Sequence, residues 1–239
     1  MNQKKDPTEQ AKLITLESLD SGGKSTQAKL FQRYFDEHGL KHEHVHFPIY
    51  TNVTGNVIAA YLRGEYGDVD EVDPVFVAGI YAMNRFTYLP VLQKQLLEND
   101  VVLLDRYVFS NMAYQGAKHG SETQSKIMRD WINELEFGFL ELPYPDLSIF
   151  FDVPLETIEK RLAGERTGGD REYLSGKADI HENDMCFQEK VRSNYLELQG
   201  YQGYRIVRTG RRSPEEIFAE CEKLLEHVLF GRPMEPDSR

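Results

Sequence analysis

Residues 17–26 read ESLDSGGKST, and their end matches the close of the pattern G-x-x-x-x-G-K-S/T. In that pattern glycines let the backbone curl round a phosphate, the lysine reaches the β- and γ-phosphates, and the hydroxyl takes magnesium. Counting back from Gly23 puts Ser18 where the first glycine belongs. Serine is small, and a residue at a strand end need not take positive φ. Residues 12–17 (KLITLE) read as a short strand and residues 24–38 carry helical spacing, so the loop sits between strand and helix. A helix N-terminus with unpaired N–H groups and partial positive charge attracts an anion there. The nucleotide-phosphate residues read from this stretch are Ser21, Gly22, Gly23, Lys24, Ser25 and Thr26, with Ser25 also a metal ligand.

The strand-then-helix order repeats outward from this loop. Short strands are expected at 44–47, 101–105 (VVLLD), 147–153 (LSIFFDV) and 205–208 (RIVR), and helices at 52–63, 155–162, 181–198 and 214–229. The longest helix is capped by Asp73 with Pro74 in its first turn and runs to Asn99, with Pro90 placed to kink it. Alternation of this kind implies an α/β, three-layer fold: a five-stranded parallel sheet covered by helices on both faces. Residues 12–230 read as one domain between a polar tail at 1–11 and a C-terminal tail at 231–239. Residues 164–179 (GERTGGDREYLSGKAD) hold four glycines among alternating charges and no apolar period, the pattern of a mobile lid over about 164–180.

Composition narrows the ligand. A net charge of -11 argues against a nucleic-acid binder, so a phosphate must be met by a few locally placed cations. Cys186 and Cys221 have no C-x-x-C spacing, which suits a reducing compartment and excludes a cysteine zinc site. No apolar run of membrane-spanning length and no signal segment is evident, so a cytoplasmic location without membrane contact is expected. His42, His44 and His46 alternate along a short strand running towards Phe47-Pro48, but no nearby cysteine completes a metal set and we do not read them as a metal site.

Further chemistry follows the third strand. Asp105 and Arg106 leave VVLLD at the edge where parallel sheets bind ligands, the carboxylate placed to orient hydrated magnesium and the guanidinium to grip a phosphate. ESLDSGGKST contains no arginine, so a cation for the charge that develops in phosphoryl transfer has to come from elsewhere, and Arg166 and Arg171 in the lid are the candidates. A GTP-dependent switch would need a guanine-reading N-K-x-D, and that tetrapeptide does not occur.

With these residues in place, the chain from Leu13 to Leu229 resembles the thymidylate kinase family of P-loop nucleoside monophosphate kinases. The resemblance rests on Asp105-Arg106-Tyr107 followed by Ser110-Asn111-Met112-Ala113-Tyr114, on Phe47-Pro48, on Asp179-Ile180-His181-Glu182, and on Tyr81 and Arg85 one helical turn apart. It implies a P-loop NTPase fold, ATP and Mg2+ as cofactors, dTMP as acceptor, and a homodimer. By the same resemblance Tyr81 stacks on thymine, Arg85 meets its O4, Asn111 its N3 edge, and Tyr114 crowds the sugar 2′ position. Asp20 meets the 3′-hydroxyl and the acceptor region, and Arg106 and Tyr50 flank the acceptor phosphate. Phe47, Pro48 and Ser110 complete the acceptor site with Asp179, His181 and Glu182 of the lid-end motif. Tyr50 departs from members with arginine at that place and leaves one cation fewer. Arg161 and the turn Thr209-Gly210-Arg211 flank adenine. Lys24, Arg106, Asp20 and the two lid arginines form the catalytic set, in the form of the family whose arginine is carried by the lid.

Overall fold

The computed structural model describes residues 11–162, 174, 179–181 and 184–233. Strands β1 (Lys12–Ser18), β2 (His42–His46), β3 (Val101–Asp105), β4 (Leu147–Asp152) and β5 (Tyr204–Arg208) form one sheet, all neighbours parallel, in the order β2-β3-β1-β4-β5. The three central strands are almost wholly buried, as parallel strands covered on both faces must be. Strand β2, at one edge, is HEHVH and largely exposed. Its histidines each find a separate polar neighbour: Asp36 for His42, Gln32 for His44, Asp105 for His46. Among the described residues no cluster could hold a metal ion through three or more His, Cys, Asp or Glu side chains.

Side-chain alternation along the strands splits the core in two. Ile14, Leu16, Leu103, Ile149 and Phe151 face helices α1 (Lys24–Glu37) and α8 (Pro214–Phe230), whose Phe31, Phe35, Cys221 and Leu225 complete that layer. Leu13, Val102, Leu104 and Phe150 face α3 (Pro74–Glu98), α4 (Val108–Gly116) and α7 (Met185–Leu196) on the other side. Helices α2 (Val53–Leu62), α5 (Glu122–Asn133) and α6 (Leu155–Leu162) complete the described helices of this length, and a π-helical segment spans Glu134–Phe139. The three-layer α/β architecture expected from the sequence is therefore present.

The differences lie in particular segments. Sequence periodicity did not register α4, α5 or the π-helical segment between β3 and β4. In α4 every residue is buried, which erases amphipathic contrast. Strand β2 begins two residues earlier than expected. Helix α7 starts at Met185, capped by the Asp184 side chain on Phe187 N, and His181 lies ahead of it in a turn. Helix α3 continues through Pro90 to Glu98. It is also long and apolar enough to cross a membrane by length and composition, which corrects the expectation that no run reaches that length. One side of it packs into the protein, where Asn84 and Arg85 are buried and paired to other elements and the helix meets α2 and α4, while Val75, Phe76, Met83 and Phe86 are exposed.

Candidate active site

Parallel pairing aligns Leu16 of β1 and His46 of β2 with Asp105 of β3, and Ser18 with Phe151 of β4, so the chain leaves four adjacent strands at one edge. The phosphate loop bridges β1 to α1. Ser21 (φ 62°) and Gly23 (φ 88°) take left-handed conformations, while Ser18 is not among the positive-φ residues. No side chain caps α1, whose first N–H groups are therefore open to a ligand.

Ser18 is fully buried and packs over Gly22: a Cβ on Gly22 would lie 2.4 Å from Ser18 Oγ and 2.9 Å from Leu19 O. The serine hydroxyl donates to Leu19 O at 2.7 Å, and Lys24 Nζ stands 3.5 Å from it. The missing glycine is thus accommodated without strain at position 18, and glycine is obligatory at 22. Lys24 is buried and lies 3.6 Å from Asp105 Oδ1. Burial, then the Arg106 charge, lowers the ammonium pKa. Burial alone would raise the Asp105 pKa, but Lys24 and His46 hold its carboxyl below the usual range.

Arg106 also has a left-handed backbone (φ 67°), fixed by its N–H donating to Leu16 O at 3.0 Å. Its guanidinium donates to Ser18 O at 3.0 Å, Ser110 Oγ at 3.2 Å and Asp20 Oδ1 at 2.5 Å. Asp20 also accepts from Tyr114 OH at 2.8 Å. Burial opposes ionisation of Asp20, but Arg106 and Lys24 outweigh it and lower its pKa. Behind this pair sits Glu17, fully buried, accepting from Tyr107 N at 3.0 Å and Ser110 Oγ at 2.5 Å. Burial pushes its carboxyl up to about 7. Glu17 escaped sequence reading as a site residue, although a carboxylate inside an otherwise apolar central strand was a signal available there.

Tyr81 and Arg85 lie on one face of α3. Tyr81 packs with Tyr50 and Ile180 against a cluster built on Tyr61 and Leu62. Arg85 does not stand alone: its Nε and Nη2 donate to Glu136 of the π-helical segment at 2.5 and 2.7 Å. Asn111 of α4 donates through Nδ2 to the same carboxylate at 2.8 Å and to Ala78 O at 3.1 Å. Glu136 was not anticipated from the sequence; nothing in ELEFGF marks one of its two acids as buried. Asn84 pins the segment before α2 by bonding both Ile49 N and Ile49 O.

His181 is buried among Tyr61, Tyr114 and Phe187, with Nε2 3.0 Å from Tyr61 OH. Burial, then the Lys118 charge, pushes its pKa down to about 3. Asp179 Oδ1 accepts from His181 N at 2.9 Å. Phe47 is in the core against Tyr88 and Tyr107, followed by a cis peptide to Pro48, and Ser110 is committed to Glu17 and Arg106. Arg166, Arg171 and Glu182 lie outside the described residues.

On the opposite side of the loop a pocket of about 390 Å³ is lined by Gly22, Gly23, Thr26, Arg161, Thr209 and Gly210, among others. Arg161 Nη1 donates to Ser21 O at 2.9 Å. Arg212, not the expected Arg211, lines this pocket; its guanidinium bonds Thr209 O, Glu220 and Arg208 O.

An uncapped helix behind a glycine turn, with a lysine, an aspartate and an arginine gathered on it beside an open pocket, defines a P-loop phosphotransferase. The thymidylate kinase family model matches residues 16–220. Over 200 residues the chain is 34% identical to the thymidylate kinase of Mycobacterium tuberculosis, covering 82% of this chain and 90% of that protein. It is 32% identical over 225 residues to that of Kosmotoga olearia, covering 90% and 99%. The solved structure of the thymidylate kinase of Candida albicans superposes with a TM-score of 0.69 at 23% identity, over 91% of this chain and 92% of that one, a likeness of fold. The chain belongs to the thymidylate kinase family.

Proposed function

We propose that the chain transfers the γ-phosphoryl group of ATP to the phosphate of dTMP, giving ADP and dTDP, with the roles assigned as follows. The observation that carries this reading is the meeting of Lys24, Asp105, Arg106 and Asp20 at the carboxyl ends of β1 and β3. ATP lies with its phosphates on residues 21–26 and its adenine in the pocket between Arg161 and Thr209-Gly210. Lys24 neutralises the donor phosphates and Arg106 the acceptor phosphate, so that positioning and charge carry most of the rate. Asp20 orients both Arg106 and the sugar end of the acceptor, with Tyr114 beside it. The lid supplies further cations through Arg166 and Arg171.

Asp105 and Ser25 would hold Mg2+. Asp105 fits that role: its carboxyl is kept ionised, and Oδ1 is buried without a hydrogen-bond partner among the described residues. Bound there, the ion would neutralise charge on the β- and γ-phosphates.

Phe76, Met83 and Phe86 are exposed along one side of α3, and spacing of seven and then three residues keeps them on one face. That stripe supports a homodimer through α3, in the cytoplasm; Met83→Glu with Phe86→Glu should halve the mass seen by sedimentation.

The deciding measurement is coupled ADP release with dTMP, dUMP, UMP, CMP, AMP and thymidine as acceptors. A clear preference for dTMP is expected, and equal rates across the panel would overturn the assignment.

A further inference from the structure

Two side chains from distant parts of the chain meet at one carboxylate. Glu136 is fully buried, Arg85 and Asn111 nearly so, and the Glu136 Oε1 atom accepts from both Arg85 Nη2 and Asn111 Nδ2 while Oε2 accepts from Arg85 Nε. A carboxylate can only accept, so it dictates how its neighbours must turn. Asn111 has to present its NH2 to Glu136 and to Ala78 O, and its Oδ1 is left buried with no partner among the described residues. Arg85 has to present Nε and Nη2, which leaves Nη1 without a hydrogen bond among the described residues. A buried acceptor left unpaired costs free energy unless a ligand satisfies it.

We propose that Glu136 is a specificity-determining residue of the acceptor site: by fixing Asn111 and Arg85 it leaves one hydrogen-bond acceptor and one donor beside Tyr81. This rests on the reading above that the acceptor base lies against Tyr81. An acceptor next to a donor complements a pyrimidine with N3–H and a C4 carbonyl, as in thymine and uracil. Cytosine offers the reverse, an unprotonated N3 and an amino group at C4, and would leave buried polar groups unpaired on both sides. Sites that read a hydrogen-bonding edge in this way reject the mismatched ligand far better than apolar pockets do. Glu136 touches neither base nor phosphate; it is a positioning residue acting through Asn111 and Arg85.

Glu136→Gln tests the inference. A glutamine at this place cannot accept from all three N–H groups, so the Asn111 amide is free to turn and show its NH2 to the base. The expected result is a fall of roughly tenfold or more in the ratio of kcat/KM for dTMP to that for dCMP, carried by KM for the acceptor, with KM for ATP unchanged. A purely structural role would lower both substrates together, and an unchanged ratio in a folded variant overturns the proposal. If the wild-type enzyme itself shows no preference for dTMP, it is the base-site reading that fails. Should thermal melting show the variant unfolded, a structure of the wild-type enzyme with dTMP decides: Asn111 Nδ2 on Glu136 and Oδ1 on N3 sustains the proposal, and Glu136 turned away from Asn111 overturns it.

Discussion

The two ends of the site are built in opposite ways. The phosphate end is a stretch of consecutive residues, Ser18 to Ser25, whose backbone makes the binding surface and whose glycines are fixed by close approach at 22 and left-handed torsion at 23. The proposed acceptor end is made of side chains carried by α3, α4 and a π-helical segment, locked to one another by a buried ion pair and its hydrogen bonds. A backbone surface grips any phosphate, whereas a side-chain network can discriminate among bases. Substitutions should therefore divide: at the first end they reduce turnover, at the second they alter affinity and choice.

The largest effect is expected at Lys24. Lys24→Ala should lower kcat on the order of 10³-fold, as loss of a main charge-stabilising donor does, and Arg106→Ala should approach it while also raising KM for dTMP; coupled ADP assays check both. An Arg106→Ala enzyme with normal kcat would break the division. At the other end Asn111→Ala should raise KM for dTMP roughly tenfold or more and leave KM for ATP unchanged, measured by titrating each substrate at saturating levels of the other.

A stability measurement sharpens the contrast from the hub between the two ends. Burial keeps Glu17 protonated up to about 7, against 4.5 for an ordinary glutamate. Between those values the folded chain holds a proton that the unfolded chain releases, so this group costs stability progressively as pH rises through that window. Glu17→Gln cannot ionise. In urea denaturation the variant should gain on the wild type by about 3 kcal/mol from the bottom of that window to the top, whatever their offset at low pH; a constant offset would show that Glu17 titrates normally. The smallest effect belongs to Ser18→Gly. The hydroxyl leaves a space over Gly22 and the backbone there needs no positive φ, so kcat should change by less than about threefold and stability by less than about 1 kcal/mol.

Legibility followed the same division. Glycine, lysine and hydroxyl at fixed offsets after an apolar strand declare a phosphate loop because the binding groups are neighbours in sequence, and Asp105-Arg106 could be placed at the same edge by the end of VVLLD. The parallel sheet was readable because buried strands are short apolar runs. Helix α4 was not, since a helix buried on every side has no polar face to give it a period. Glu136 was not, since the pairing of an acid with an arginine 51 residues away is decided by tertiary packing. Helix α3 carried both signals: Tyr81 and Arg85 were legible through their spacing, while Asn84, which ties down the segment before α2, looked like any other polar residue.

Arg106 is gripped from its backbone outward: a left-handed main chain bonded to Leu16, and a guanidinium shared by Ser18, Ser110 and Asp20. An arginine free in solvent would have to give up its rotamer entropy at each encounter with a substrate. Here that ordering is completed once, when the chain folds, so in the role proposed for Arg106 every later catalytic cycle finds the charge already in position. Folding stability is in this way converted into a standing reduction of the work that each turnover must do.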